Sequence, residues 1–227
     1  MVKNGGLLST LERAEKPISV NKEIEKMQEL LNQTLKLISL YKKCALPIPF
    51  ALKGNLGEFI VAIELLKNFP DHKIDYHGGA FPGVDIIIDD KIKVQVKTQI
   101  KHQPQKFRNG YFDYESSPTI KKSILDKKCN VLILVILYLN EDYSKIEKQN
   151  IYIFDQPDFK FFSPTFCWSG KSKGDYTIVN VLEVKGEPPP KLKEKINYYN
   201  RQEYKRLFKR SKDNWDKMKN ILCTQKL

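Results

Sequence analysis

No stretch of this chain is apolar for long enough to cross a bilayer. Its longest apolar run, Val131 to Leu139, is nine residues, where a membrane helix needs about 20. Met1 to Thr10 lack the basic start and long apolar stretch of a secretory leader, so the chain is expected to be cytoplasmic, with no membrane partner. Cysteine and histidine are scarce. The four cysteines (Cys44, Cys129, Cys167, Cys223) are scattered, no CxxC occurs, and His72, His77 and His102 pair with none of them at zinc spacing. These gaps argue against a structural zinc and leave the thiols as buried or idle. No internal repeat is visible.

What is present is an ordinary globular composition over 227 residues, 41% apolar and 29% charged. The net charge is +12, and it is unevenly placed. Residues 1–50 hold 8 basic and 5 acidic side chains, residues 51–184 hold 18 and 17, and residues 185–227 hold 13 and 5. A basic C-terminal segment suits contact with a phosphate backbone, or equally a solvated lysine-rich helix.

Residues 1–18 read as loosely structured. A helix is expected over 20–43, with Asn21 as N-cap, Glu23 and Glu25 in the first turn and Lys42-Lys43 in the last. Ile24, Met27, Leu31, Leu35 and Ile38 form its apolar stripe, widened by Leu30 and Leu37. Pro47 and Pro49 break the chain. A second helix is expected from Asn55 to Asn68, stopped by Pro70, then a strand at 73–76 and a turn at Gly78-Gly79. A hairpin, 84–90 and 92–99, comes next, followed by a polar, aromatic loop over 101–118. A short helix at 119–127 and strands at 130–139, 150–155 and 176–184 complete the core. Gly186-Glu187-Pro188-Pro189-Pro190 reads as a linker before a basic helix or helix pair at 191–222. The order predicts an α/β architecture, a mixed sheet with helices packed on it. It divides into an N-terminal helical extension (1–50), a core (51–185) and a C-terminal basic region (186–227).

Chemistry concentrates between residues 58 and 97. Asp85 stands in the apolar run Val84 to Ile88, where a carboxylate is costly unless paired or bound to a cation. Gln95 and Lys97, two residues apart on the next strand, leave the same face. Glu58 opens the second helix. Magnesium takes oxygen ligands and keeps several waters, so one or two carboxylates suffice. Asp85 would be the central ligand, with Glu58, the Gln95 amide oxygen and the Val96 carbonyl beside it. Lys97 would hold the attacking water or offset charge in the transition state. Taken singly, Glu58 is an ordinary first-turn glutamate, and Gln95 and Lys97 fit the solvent face of an edge strand.

Together, Lys53-Gly54…Gly57-Glu58, Gly83…Asp85 and Val94-Gln95-Val96-Lys97-Thr98 resemble the PD-(D/E)XK nuclease superfamily, over roughly residues 50–160. The branch they look most like contains homing endonucleases and Holliday-junction resolvases. The resemblance implies a restriction-endonuclease-like fold and a DNA endonuclease using Mg²⁺ or Mn²⁺. It also implies a homodimer or higher homo-oligomer. Two departures stand out: the proline lies three residues before Asp85, and Gln95 replaces the usual acidic residue of the last triplet. Glutamine removes one negative charge from the site and favours the alternative of a DNA-binding protein without catalysis. Site-specific, restriction- or homing-like cleavage is expected, because the additions at both ends (1–50 and 186–227) exceed what a minimal resolvase needs and suit target recognition. Junction resolution and nicking are the alternatives, and a purely structural oligomer is supported only by the helix 20–43. Candidate DNA contacts are Lys101, His102, Gln103, Gln105, Lys106, Arg108 and Asn109, with Tyr111 and Tyr114 for stacking. In the C-terminal region they are Lys205, Arg206, Lys209 and Arg210, with Lys212 continuing the run.

Overall fold

A computed structural model describes residues 19–81, 83–101, 105–106, 113–114, 119–162, 175–177 and 202–224. In chain order the elements are α1 (Val20–Lys43), α2 (Phe50–Asn68), β1 (Ile74–Phe81), β2 (Val84–Ile88), β3 (Ile92–Lys101), β4 (Gln105–Lys106) and β5 (Asp113–Tyr114). They continue with β6 (Thr119–Lys121), α3 (Lys122–Lys127), β7 (Val131–Leu139), β8 (Ile146–Asp155), a 3-10 helix (Gln156–Phe161), β9 (Asp175–Thr177), α4 (Gln202–Ser211) and α5 (Trp215–Thr224). Five strands form one mixed sheet in the order β1-β2-β3-β7-β8. The first three are antiparallel, β7 joins β3 in parallel, and β8 returns antiparallel to β7.

The run Val131–Leu139 is buried on both sides, and this explains its unbroken apolar sequence. Val131, Ile133, Val135 and Leu137 face α1 and α2, together with Met218 and Leu222 of α5. Leu132, Leu134 and Ile136 face the other way, onto Leu125, Phe159, Phe162 and the α4 residues Tyr204, Leu207 and Phe208. The molecule is therefore a mixed α/β structure with helices on both faces of its sheet.

Several boundaries differ from the sequence reading. Helix α1 starts at Val20 with Ser19 in the cap position, so Asn21 lies inside the first turn. Leu31, Leu35 and Ile38 are buried as expected, but Leu37 and Leu40 project outward, 41% and 56% exposed. Helix α2 begins at Phe50, five residues early, because Pro49 at its cap starts the helix instead of breaking it. The Gly78-Gly79 pair does not turn the chain. Gly78 takes a φ of +52° inside β1, where the register with β2 shifts between Tyr76 and Phe81, so the glycines absorb a bulge. The turn of the β2–β3 hairpin has Asp89 and Asp90 at φ 51° and 57°, the pair of left-handed residues that a tight hairpin turn demands.

The 119–127 segment opens as strand β6 before helix α3, and β8 starts at Ile146, four residues earlier than read. The loop after β3 contains the short β4–β5 ladder. The 176–184 strand appears as β9, and the rest of that stretch lies outside the described residues, as do the 186–190 linker and residues 1–18. No described helix is long and apolar enough to cross a membrane.

The C-terminal helices are docked and do not form a free tail. Tyr204, Leu207, Phe208, Met218 and Leu222 are buried. Between α4 and α5, Lys212 bridges Tyr152 of β8, and the Asp213 amide donates to the Ile151 carbonyl at 2.7 Å. Asp158, 2% exposed, takes hydrogen bonds from Arg210 (2.7 Å) and from Lys217. Burial pushes its carboxyl pKa up, but Lys217, the neighbouring Asp155 and Arg210 together hold it below the ordinary value.

Candidate active site

Three of the predicted residues come from the β2–β3 hairpin. The two strands pair Ile86 with Val94, so Asp85 and Gln95 stand one step further along, across from each other. Both are interior: the sheet order places β3 between β2 and β7, which rules out the edge-strand reading of Gln95 and Lys97. Asp85 is 6% exposed and Gln95 3%. One oxygen of Asp85, Oδ2, accepts a hydrogen bond from the Val96 amide at 2.7 Å and another from Gln95 Nε2. Gln95 Nε2 also donates to the Val96 carbonyl at 3.2 Å. Lys97, half-buried, follows on the same face of β3.

Glu58 approaches from α2, and two small residues let it. A Cβ on Gly57 would stand 2.0 Å from Thr98 Oγ1, so the helix lies flush on β3 only because position 57 has no side chain. Thr98 Oγ1 in turn donates to the Gly54 carbonyl at 3.3 Å. The helix is thereby fixed one residue beyond Lys97, with Glu58 facing the hairpin. Tyr76 of β1 donates its hydroxyl to Glu58 Oε2 at 3.0 Å and packs its ring against Phe59, 5.5 Å between centroids.

The electrostatics join these groups. Burial raises the Glu58 carboxyl pKa above its usual value and the Asp85 charge adds to this, against the Tyr76 hydrogen bond and the Lys97 charge. Burial raises Asp85 as well, opposed by the Val96 amide, Lys97 and Gln95. Tyr76 is pushed up by burial and by the Glu58 and Asp85 charges, so it stays a protonated donor. Beneath the site, burial and the Asp85 charge push the Cys129 thiol up to about 12, leaving it inert.

Sequence reasoning missed Tyr76, while Cys129 is the buried, idle thiol it expected. Tyr76 lies opposite Ile86 in the β1–β2 ladder, a register that no motif announces.

The donor set suits a hard cation. Glu58, Asp85, the Gln95 amide and the Val96 carbonyl offer oxygen alone, the set that magnesium and manganese accept. One observation bears on it directly: Gln95 Oε1 is buried without a hydrogen-bond partner. An orphaned buried carbonyl costs about 1–3 kcal/mol, and a cation is one partner that would relieve it. Against this, no group of three or more His, Cys, Asp or Glu suited to a metal exists among the described residues. The set holds two carboxylates, with an amide where a third would stand.

Of the expected DNA contacts, Lys205, Arg206 and Lys209 are exposed on α4. Arg210 is committed in part to Asp158. Lys101 ends β3, and Lys106 lies in the β4–β5 ladder. His102, Gln103, Arg108, Asn109 and Tyr111 lie outside the described residues.

No protein-family model matches the chain, and neither a curated protein nor a solved structure matches it.

Proposed function

We propose that the chain is a metal-dependent DNA endonuclease of the restriction-endonuclease-like type, with its site at Glu58, Asp85, Gln95 and Lys97. The observation that carries this reading is the buried Asp85–Gln95 pair in the middle of the sheet, with Gln95 Oε1 orphaned beside it. A purely structural pair would be expected to satisfy that oxygen.

Asp85, Glu58, Gln95 and the Val96 carbonyl are the groups that would hold Mg²⁺ or Mn²⁺. Such a cation offsets the phosphate charge and acidifies bound water. Lys97 supplies a fixed ammonium where negative charge builds up on the phosphate or the attacking water. Tyr76 holds one oxygen of Glu58 and leaves the other available. The outward apolar residues Leu37 and Leu40 of α1 favour a homodimer or higher homo-oligomer.

The test is incubation with plasmid, a synthetic four-way junction and single-stranded DNA, each with Mg²⁺ or Mn²⁺. Cleavage is expected in the native protein and lost in Asp85→Ala and Lys97→Ala, and it is kept by Gln95→Glu. Full activity of Asp85→Ala would sink the site. The preferred substrate separates site-specific cleavage from junction resolution and nicking.

The hydrogen bond from Gln95 to Asp85 favours a second reading, a DNA-binding protein without catalysis, because it partners the carboxylate without a cation. Magnesium calorimetry decides: equal heats in the native protein and Asp85→Ala would support that reading.

A further inference from the structure

Helix α2 presents its first residue to solvent. Phe50 is 90% exposed, well above Leu37, Leu40 and Leu46. Its backbone is fixed, because Pro49 stands at the cap with φ −55° and the helix follows at once. Positions 50, 54 and 57 share one helix face, at i, i+4 and i+7. That face lies on β3 at Gly57 and Gly54, against Thr98, and reaches solvent at Phe50. Gly54 also stands beside Glu58 Oε1, the oxygen that Tyr76 leaves available; a Cβ there would lie 3.6 Å from it. Lys53 Nζ lies over the Phe50 ring, 5.5 Å from its centroid.

We propose that Phe50 is a stacking platform for an unpaired base of the DNA substrate, with the Lys53 ammonium on a phosphate of the same strand. An open aromatic face with a cation beside it is how single strands are held, the base on the ring and the backbone on the charge. Inside a duplex both faces of a base are covered by its neighbours, so the platform selects DNA with an opened segment. The charges argue against a second copy of the chain as the occupant. Between Glu29 and Glu58 the chain carries four lysines and no acid. Asp142, in the turn before β8, feels the charge of Lys43, whereas Lys53 has no ion pair among the described residues. A two-fold contact through Phe50 would bring two Lys53 ammoniums together without a carboxylate between them. A nucleotide offers a base to the ring and a phosphate to the cation.

Eight residues of helix separate Phe50 from Glu58, about 12 Å. At 3.4 Å per stacked step, the opened base lies about three to four nucleotides from the scissile phosphate. That spacing rests on the nuclease reading, whereas the platform itself does not.

The experiment is equilibrium binding of the full chain, without divalent cations, to a labelled single strand and to the blunt duplex of the same sequence. Phe50→Leu keeps an apolar side chain, removes the aromatic face and, at so exposed a position, leaves the fold intact. It is expected to weaken single-strand binding about 10-fold and to leave duplex binding unchanged, while Phe50→Trp keeps both. Lys53→Gln should lower the log–log salt slope on the single strand by about 0.7, the value for one phosphate. Equal single-strand binding by the native protein and Phe50→Leu overturns the platform, and so does an equal loss on both DNAs. A smaller oligomer in Phe50→Leu, read by light scattering, assigns the residue to a contact between copies and also overturns it. Cleavage by the native protein with unaltered binding by Phe50→Leu overturns the platform and leaves the nuclease. A selective loss without any metal-dependent cleavage keeps the platform and removes the nuclease. A native protein that binds neither DNA overturns both.

Discussion

Replacing Asp85 by asparagine should make the metal-free protein more stable while abolishing its response to magnesium. The carboxylate is 6% exposed, and removing an ion from water costs several kcal/mol even after relaxation. Three effects work against that cost: the Val96 amide, the Lys97 charge and the Gln95 amide. Asparagine keeps an oxygen for both donors and gives up about 1 kcal/mol of charge assistance per bond. Burial outweighs all three, so neutralisation should be a gain, and its size is expected to be that of other function-for-stability exchanges, about 1 kcal/mol. For a chain of this size that is about 2–4 °C in Tm.

The pH dependence has a definite sign. A carboxyl whose folded pKa is raised destabilises the native state above that pKa and has no such effect when protonated in both states. The advantage of Asp85→Asn should therefore be absent in acid and grow toward neutral pH. Thermal unfolding of both proteins in chelator, then with added Mg²⁺, measures this directly. Mg²⁺ should raise the Tm of the native protein alone. An Asp85→Asn protein less stable than the native one at pH 7 in chelator would refute the argument that burial dominates at this residue.

Tyr76→Phe removes one hydrogen bond to a charged oxygen, about 1.5–3 kcal/mol. It should weaken Mg²⁺ binding and slow cleavage about 10-fold with little loss of fold, measured by metal titration and circular dichroism. Gly57→Ala drives a Cβ to within 2.0 Å of Thr98 Oγ1. It should cost about 1–3 kcal/mol by overpacking, and Thr98→Gly in the same chain should recover most of that in urea unfolding. Asp158 is held below its ordinary pKa despite burial, so its contribution is full above the unfolded value of about 3.9 and is lost as pH falls through the lower folded value. Lys217→Met should flatten that acid transition and destabilise the protein at pH 7 by about 1–3 kcal/mol, and unchanged acid unfolding would remove the pairing from the account.

The hairpin was legible because its signals are local. Asp85, Gln95 and Lys97 lie within 13 positions, and the turn between the strands is written in Asp89-Asp90. The run at β7 announced a buried strand by composition alone. What could not be read were facts of long-range pairing. That β3 is interior depends on its parallel ladder with β7, which begins at Val94↔Val131, and one-strand periodicity does not distinguish an interior strand from an edge. Asp158 meets Lys217 across 59 residues, so the basic C-terminal segment looked like a tail when several of its cations and aromatics are structural. Gly78-Gly79 carried a turn signature that the antiparallel pairing of β1 with β2 overrode.

The Lys212–Asp213 corner occupies backbone groups of Tyr152 and Ile151 on β8, an outer strand of the sheet. The opposite outer strand, β1, is bent by its bulge. Straight, unpaired borders are the surfaces by which sheets add foreign strands and nucleate fibrils. Both borders here are blunted, one of them by residues that follow the whole five-stranded sheet in the chain. A ribosome stalled before residue 212 would release a chain whose sheet is assembled but whose β8 border is open. Shortened forms should therefore precipitate by strand addition, which the borders of the five-stranded sheet resist in native copies.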